Sequence, residues 1–258
     1  MNMILAIDVG NSNIVLGCIE ENTILFEARM ASDRLKTSDQ YCVELKNMLA
    51  LFEIDIAKLE GVIVSSVVPP ILNSIKTAIR KLTEKPCYVV GPGLKTGLNI
   101  RIDNPAQAGS DLVVAAVAAI HEYGAPLTII DLGTATTITV IDKNKNFIGG
   151  SISPGMKISM EALTSRAAQL PGVSVEAPHR AIGRNTVESM QSGIMFGTAA
   201  MLDGLIERME QELGCQTTVV ATGGLAPFVV PLCKREIAID KDLLLKGLNL
   251  IYRMNTER

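Results

Sequence analysis

Apolar residues in this chain fall into short runs divided by polar, glycine and proline punctuation, and the runs change period along the sequence. Met3–Val9, Ile14–Ile19 and Thr23–Met30 predict three antiparallel strands, with Glu20-Glu21-Asn22 as the turn between the last two. Thr37-Ser38-Asp39 can cap a helix from Gln40 to about Phe52, since Val43, Leu45, Met48, Leu49 and Phe52 mostly follow helical spacing. Gly61–Ser65 reads as a buried strand, and Pro69-Pro70 opens a helix to about Leu82, proline being suited to a first turn. Cys87–Val90 is a further strand, stopped by Gly91-Pro92-Gly93. Residues 94–110 read as irregular, and Leu112 to about Tyr123 as an alanine-rich apolar helix behind Asp111.

The pattern then restarts. Leu127–Leu132, Thr136–Ile141 and Phe147–Ser153 predict three more strands, with Asp142–Lys145 as a hairpin turn. A helix over roughly Met156–Gln169 follows, then a loop around Pro171–Arg184. Asn185-Thr186 caps a long helix, Val187–Leu213. Gln216–Ala221 and Glu236–Ile239 read as strands, and Leu243–Met254 as a closing helix. Both halves thus open on three strands and a helix, and each adds two further strands.

The halves also share a motif. Residues 7–13 read Ile-Asp-Val-Gly-Asn-Ser-Asn and residues 130–136 read Ile-Asp-Leu-Gly-Thr-Ala-Thr, separated by close to half of the 258 residues. Each ends a buried strand in an aspartate and a glycine, then passes through hydroxyl or amide residues into a second strand. Glycine lets the chain turn tightly, so that backbone N–H groups and hydroxyls can close around an oxyanion. The aspartate repels phosphate, but it can hold a cation, or water around a cation, beside one. Gly149-Gly150 and Thr222-Gly223-Gly224 fall at strand–loop junctions, where backbone can approach a ligand closely.

Composition narrows the field. Hydrophobic residues are 48% of the chain, yet no apolar run approaches the roughly 20 residues of a membrane span. The N-terminus enters a strand without a basic leader, and five scattered cysteines lack a C-x-x-C pair, which favours reduced thiols in a cytoplasmic protein. A net charge of −3, no basic run and 3% aromatic residues speak against nucleic-acid binding. His121 and His179 have no metal-like partner nearby in sequence and read as structural or surface residues.

Several segments, taken in order, resemble a known family. They are Asp8-Val9-Gly10-Asn11-Ser12-Asn13, Ser65-Ser66-Val67-Val68-Pro69, Gly91-Pro92-Gly93, Gly109-Ser110-Asp111, Asp131-Leu132-Gly133-Thr134-Ala135-Thr136-Thr137, Gly149-Gly150 with Pro154-Gly155, Ile182-Gly183-Arg184-Asn185-Thr186 and Ala221-Thr222-Gly223-Gly224. Duplicated Asp-x-Gly turns with a late Thr-Gly-Gly resemble the acetate/sugar kinase, Hsp70 and actin superfamily. The ordered set resembles type III pantothenate kinases nearly end to end. The resemblance implies an α/β fold of two duplicated actin-like (ribonuclease H-like) domains, 1–113 and 114–258. Each would be a mixed five-stranded sheet with flanking helices, and an ATP cleft would lie between them.

It also implies roles. The ATP-phosphate loop falls on Asp8, Val9, Gly10, Asn11, Ser12, Asn13, Ile14 and Val15, with Thr134 a second phosphate contact and Gly223 and Gly224 beside the nucleotide. Asp131 matches the ligand of a monovalent cation, potassium or ammonium, used together with magnesium. Asp111 matches the proton acceptor, and Gly109, Ser110, Asp111, Leu112, Ile102 and Thr186 fall on the pantothenate side. The implied activity is ATP-dependent phosphorylation of pantothenate in coenzyme A biosynthesis by a homodimer. Two positions depart from the family pattern: Leu112 stands where arginine is usual and Ile102 where tyrosine is usual, so two polar contacts become aliphatic. A kinase of another small hydroxyl compound and a non-catalytic ligand-binding regulator therefore stand as alternatives.

Overall fold

The computed structural model describes residues 3–167 and 170–256, which form two compact units. The first runs through Leu98, resumes over Asn104–Ala118 and takes in the segment from Asp242 onward. The second comprises Asn99–Asp103 and Ala119–Lys241. Both units are discontinuous along the chain.

In the first unit β1 (Met3–Val9), β2 (Asn13–Glu20), β3 (Thr23–Ala31), β4 (Leu59–Ser66) and β5 (Cys87–Val89) form a sheet in the order β3-β2-β1-β4-β5. The first three strands are antiparallel neighbours, while β4 and β5 add in parallel. Every residue of β1 is buried, as expected of a central strand covered on both faces. Alternation divides them. Met3, Leu5, Ile7 and Val9 enter one core with Tyr41, Leu45 and Leu49 of α1 (Ser38–Leu51) and Ile71, Ile75 and Ile79 of α2 (Pro69–Leu82). Ile4 and Ala6 enter another, with Val114 and Val117 of α3 (Ser110–Tyr123) and Leu245, Leu248 and Ile251 of the chain's last helix, over Leu243–Thr256. Period 2 puts Asp8, the next even residue, on that second face with α3. A pattern of alternate side chains thus decides which helix the aspartate faces.

The second unit repeats the plan with β7 (Leu127–Leu132), β8 (Ala135–Ile141), β9 (Asn146–Pro154), β10 (Thr218–Thr222) and β11 (Ala238–Ile239). Its sheet has six strands, β11-β10-β7-β8-β9-β6, rather than five. The extra strand β6 (Asn99–Ile100) comes from the segment read as irregular; it pairs in parallel with β9, and Asn99 Nδ2 donates to Asn146 Oδ1 at 2.6 Å. Two residues are too few to show a period, so the sequence carried no signal for it.

Helix α4 spans Met156–Arg166 and stops short of the expected Gln169; positions 168–169 lie outside the described residues. Helix α5, Thr186–Leu213, is capped by Asn185, whose side chain accepts the Glu188 N–H, and ends at Gly214 with φ +70°. A short helix α6, Ala226–Val229, was not expected, and the last helix, Leu243–Thr256, is α7. No helix among the described residues is long and apolar enough to cross a membrane. All five cysteines are free thiols, and burial pushes the Cys18 thiol up to about 12.

Candidate active site

The first Asp-x-Gly turn sits at the C-terminal end of β1. Val9 and Ile14 are the last paired residues, leaving Gly10–Asn13 as a four-residue loop. Gly10 N–H closes it by donating to the Asn13 carbonyl at 3.0 Å. The end of β3 braces it: Ser32 Oγ donates to the Gly10 carbonyl at 2.6 Å and Ser32 N–H to the Ser12 carbonyl at 3.0 Å. Asn11, Ser12 and Asn13 are exposed, and Arg34 Nη2 reaches Asn11 Oδ1 at 3.4 Å. Val9 and Ile14 are fully buried in the core, so these two expected ligand contacts have only backbone to offer. Asp8 is 7% exposed and lies opposite Val15 on β2 and Ser65 on β4.

Ser65 leads to the second acidic residue. Its Oγ donates to Ser110 Oγ at 3.0 Å, joining the end of β4 to the first residue of α3. Asp111 follows. Its Oδ1 accepts the Leu112 N–H at 2.8 Å, and a Cβ added at Gly109 would stand 2.4 Å from the same oxygen. A side chain there would push the carboxylate aside. Burial pushes the Asp111 carboxyl above the usual range, while the amides of Leu112 and of Asp111 itself draw it part of the way back. Amides at a helix start favour the anion, so the group is a desolvated carboxylate held by backbone dipoles. Asp8 thus lies on the sheet face that α3 covers, and the Ser65–Ser110 bond ties its neighbouring strand to the helix turn that carries Asp111.

The second turn differs in length. Leu132 and Thr136 are its last paired residues, leaving three residues, Gly133–Ala135, closed by Gly133 N–H on the Ala135 carbonyl at 3.1 Å. Thr134 is exposed, and its carbonyl accepts the Gly155 N–H at 3.1 Å, which ties the turn to the start of α4. Asp131 lies in register with Thr222 on β10, as Asp8 does with Ser65. A Cβ at Gly223 would meet Asp131 Oδ1 and the Leu132 carbonyl at 2.6 Å each, and its φ of +94° also demands glycine. Gly224 is exposed beside it.

Directly opposite Asp131 on β8 is Thr137, whose Oγ1 is buried and meets no hydrogen-bond partner among the described residues. A carboxylate, backbone carbonyls and an unspent hydroxyl are hard oxygen donors, and they fit a potassium- or ammonium-like cation. Among the described residues no cluster of three or more His, Cys, Asp or Glu could hold a metal ion.

Of the remaining expected residues, Thr186 is the exposed first residue of α5, with the preceding loop pressed onto its first turn by Gly183. Ile102 is half-buried; a Cβ at Gly149 would lie 4.0 Å from its Cγ2. Leu112 is half-buried beside Asp111. His121 pairs with Glu122 on an exposed surface, and His179 is exposed. Sequence reasoning had not given Ser65 or Thr137 a role. Ser65 stood inside a quoted motif, but only strand register reveals that it flanks Asp8.

Comparison with known proteins places the chain. The sequence model of type III pantothenate kinases matches residues 4–208. The type III pantothenate kinase of Exiguobacterium sibiricum is 46% identical over 254 residues, covering 98% of this chain and 100% of that one. That of Brevibacillus brevis is 45% identical, covering 98% and 99%. Among solved structures, a Campylobacter jejuni protein assigned to the Baf family of transcriptional activators superposes with a TM-score of 0.64 at 17% identity, over 98% of this chain and all of that one. Component A of the Acidaminococcus fermentans (R)-2-hydroxyglutaryl-CoA dehydratase gives 0.59 at 14% identity, covering 98% and 97%. At such identities these structures speak for the fold alone, and they carry the same α/β architecture of two mixed sheets. Taken with relatives 45–46% identical from end to end, the family match means that this chain belongs to the type III pantothenate kinases.

Proposed function

We propose that this protein transfers the γ-phosphoryl group of ATP to the primary hydroxyl of pantothenate, giving 4′-phosphopantothenate and ADP, the first step of coenzyme A biosynthesis. The observation that carries the proposal is Asp111, a half-buried, desolvated carboxylate in the first turn of α3, the helix that packs on the sheet face where Asp8 lies. In the transfer the substrate oxygen forms a bond to γ-phosphorus, the bond to the ADP oxygen breaks, and the hydroxyl proton passes to Asp111. Phosphoryl transfer runs through a loose transition state, so placing the hydroxyl matters more than strong basicity. A carboxylate held above its ordinary pKa is still the right kind of acceptor at neutral pH.

The remaining roles follow the chemistry of each group. Backbone N–H groups and side chains of Gly10–Asn13, with the backbone of Val9, Ile14 and Val15, take the ATP phosphates, and Thr134 adds a second contact. Gly223 and Gly224 offer a side-chain-free surface to the nucleoside. Ile102, Gly109, Leu112 and Thr186 contact pantothenate, with Ile102 and Leu112 giving it aliphatic rather than polar surface. Asp131 holds potassium or ammonium, which with magnesium on the ATP offsets the negative charge of Asp8, Asp131 and the phosphates. We assign the protein to the cytoplasm, in keeping with its unpaired thiols. It acts as a homodimer, for which exposed Ile152, Leu163 and Ile182 supply apolar surface.

A coupled assay of pantothenate-dependent ADP release, run in potassium and in sodium buffers, tests this reading. Turnover that needs potassium, with the requirement lost along with the rate in Asp131→Ala, is the expected result. ATP binding without pantothenate-dependent ADP in either buffer would remove the assignment.

A further inference from the structure

Ser110 precedes Asp111, and its hydroxyl is committed in full to β4. It accepts the Ser66 N–H at 3.1 Å and the Ser65 hydroxyl at 3.0 Å, and it donates to the Ser66 carbonyl at 3.0 Å. A hydroxyl has one donor and two acceptor sites, so nothing is left over for a ligand. The strand end it grips is itself fastened. Val67 N–H donates to the Val9 carbonyl at 3.1 Å, and Ser66 Oγ exchanges hydrogen bonds with Val68 across the next turn. Val9 is the residue from which the Gly10–Asn13 loop departs. A continuous set of bonds therefore runs from that loop through Val9, Val67, Ser66 and Ser110 to Asp111, all within one compact unit.

We propose that Ser110 is a positioning residue for phosphoryl transfer: its hydroxyl pins the first turn of α3 to the end of β4, and so fixes the Asp111 carboxylate relative to the Gly10–Asn13 loop. The proposal rests on the kinase reading above, and it replaces the expectation that the Ser110 side chain touches pantothenate. The bland alternative is that Ser110 only helps α3 to start. A serine in that role bonds an amide of its own first turn; here the three bonds found for the hydroxyl all go to β4. Ser65 is fully buried and pairs with Asp8 across the sheet, so the strand position that Ser110 grips is the one in register with the first acidic residue. Misplacing a reacting group by about 1 Å can cost on the order of 100-fold in rate, which sets the scale of the expected effect.

The test is a double-mutant cycle on kcat with pantothenate and ATP. Ser110→Ala should lower kcat by roughly 10- to 100-fold with the KM for ATP changed by less than about two-fold. Ser110→Thr, which keeps the hydroxyl, should recover most of the loss. In an Asp111→Asn background, Ser110→Ala should have no further effect, because the group it positions is gone. An equal loss in that background, or an unchanged kcat in Ser110→Ala alone, would overturn the proposal. Should Ser110→Ala not fold, Ser65→Ala, which removes one of the three bonds, decides by the same cycle with a loss of several-fold. A readout independent of turnover is hydrogen exchange at the Leu112 and Val113 amides. Faster exchange in Ser110→Ala supports the clamp, and unchanged exchange overturns it even if the wild type proves inactive on pantothenate.

Discussion

Single residues carry the chemistry, and Asp111 is the one whose environment can be read in two ways by experiment. Burial raises its pKa in the folded state, so the folded protein holds that proton to higher pH than the unfolded chain does. The sign follows: the destabilisation is absent below the unfolded pKa of about 3.9, grows as pH rises toward the folded value and is complete above it. Asp111→Asn should therefore raise Tm at pH 7 and lose that gain near pH 4, measured by calorimetry across the range. An equal Tm shift at both pH values would mean that burial of the charge is not the cause. The same shift predicts that the acid limb of kcat/KM lies above the ordinary aspartate range. Gly223 is read in a similar way. A methyl there would meet Asp131 Oδ1 and the Leu132 carbonyl at 2.6 Å each, so Gly223→Ala should weaken ATP binding at least 10-fold, by calorimetric titration, and lower the Tm.

Elements matter through what holds them. Helix α3 carries Asp111, and α7 packs against it where Gly247 meets Val114; a Cβ at Gly247 would lie 2.2 Å from the Val114 carbonyl, which is backbone and cannot turn aside. Gly247→Ala should cost about 1–3 kcal/mol by denaturant unfolding and lower kcat as α3 shifts; a stability within error of wild type would show that α7 can move away freely. At the start of α5, Asn185 caps the helix through the Glu188 amide, so Asn185→Ala should cost about 1 kcal/mol. Both effects are local. They separate the support of α3, on which Asp111 depends, from that of α5, which carries Thr186.

Across the whole molecule, the sequence disclosed what local pattern encodes and hid what register and long-range packing decide. Apolar runs ending in Asp-x-Gly gave β1 and β7, and the repeated order of elements gave two related sheets, because buried strands and caps leave signals within a few residues. The two-residue β6 left none, nor did α6, four residues with Pro227 inside. That α7 joins the first sheet, over 150 residues from α2 in the chain, is a fact of tertiary packing. The turns looked equivalent as text, yet pairing leaves four residues in one and three in the other. Ser65 beside Asp8, Thr222 beside Asp131 and the orphaned Thr137 hydroxyl all emerge from strand register, which a one-residue slip would change entirely.

The central claim is that the desolvated Asp111 accepts the proton of a pantothenate hydroxyl as ATP phosphorylates it. The most direct measurement is product formation from pantothenate and magnesium-ATP in potassium buffer, followed by mass spectrometry for wild type and Asp111→Asn, with ATP affinity determined for both. The account predicts 4′-phosphopantothenate from the wild type, a rate lower by roughly 10²–10⁴ in the variant, and nearly equal ATP binding. Equal rates of product formation in the two proteins would contradict it.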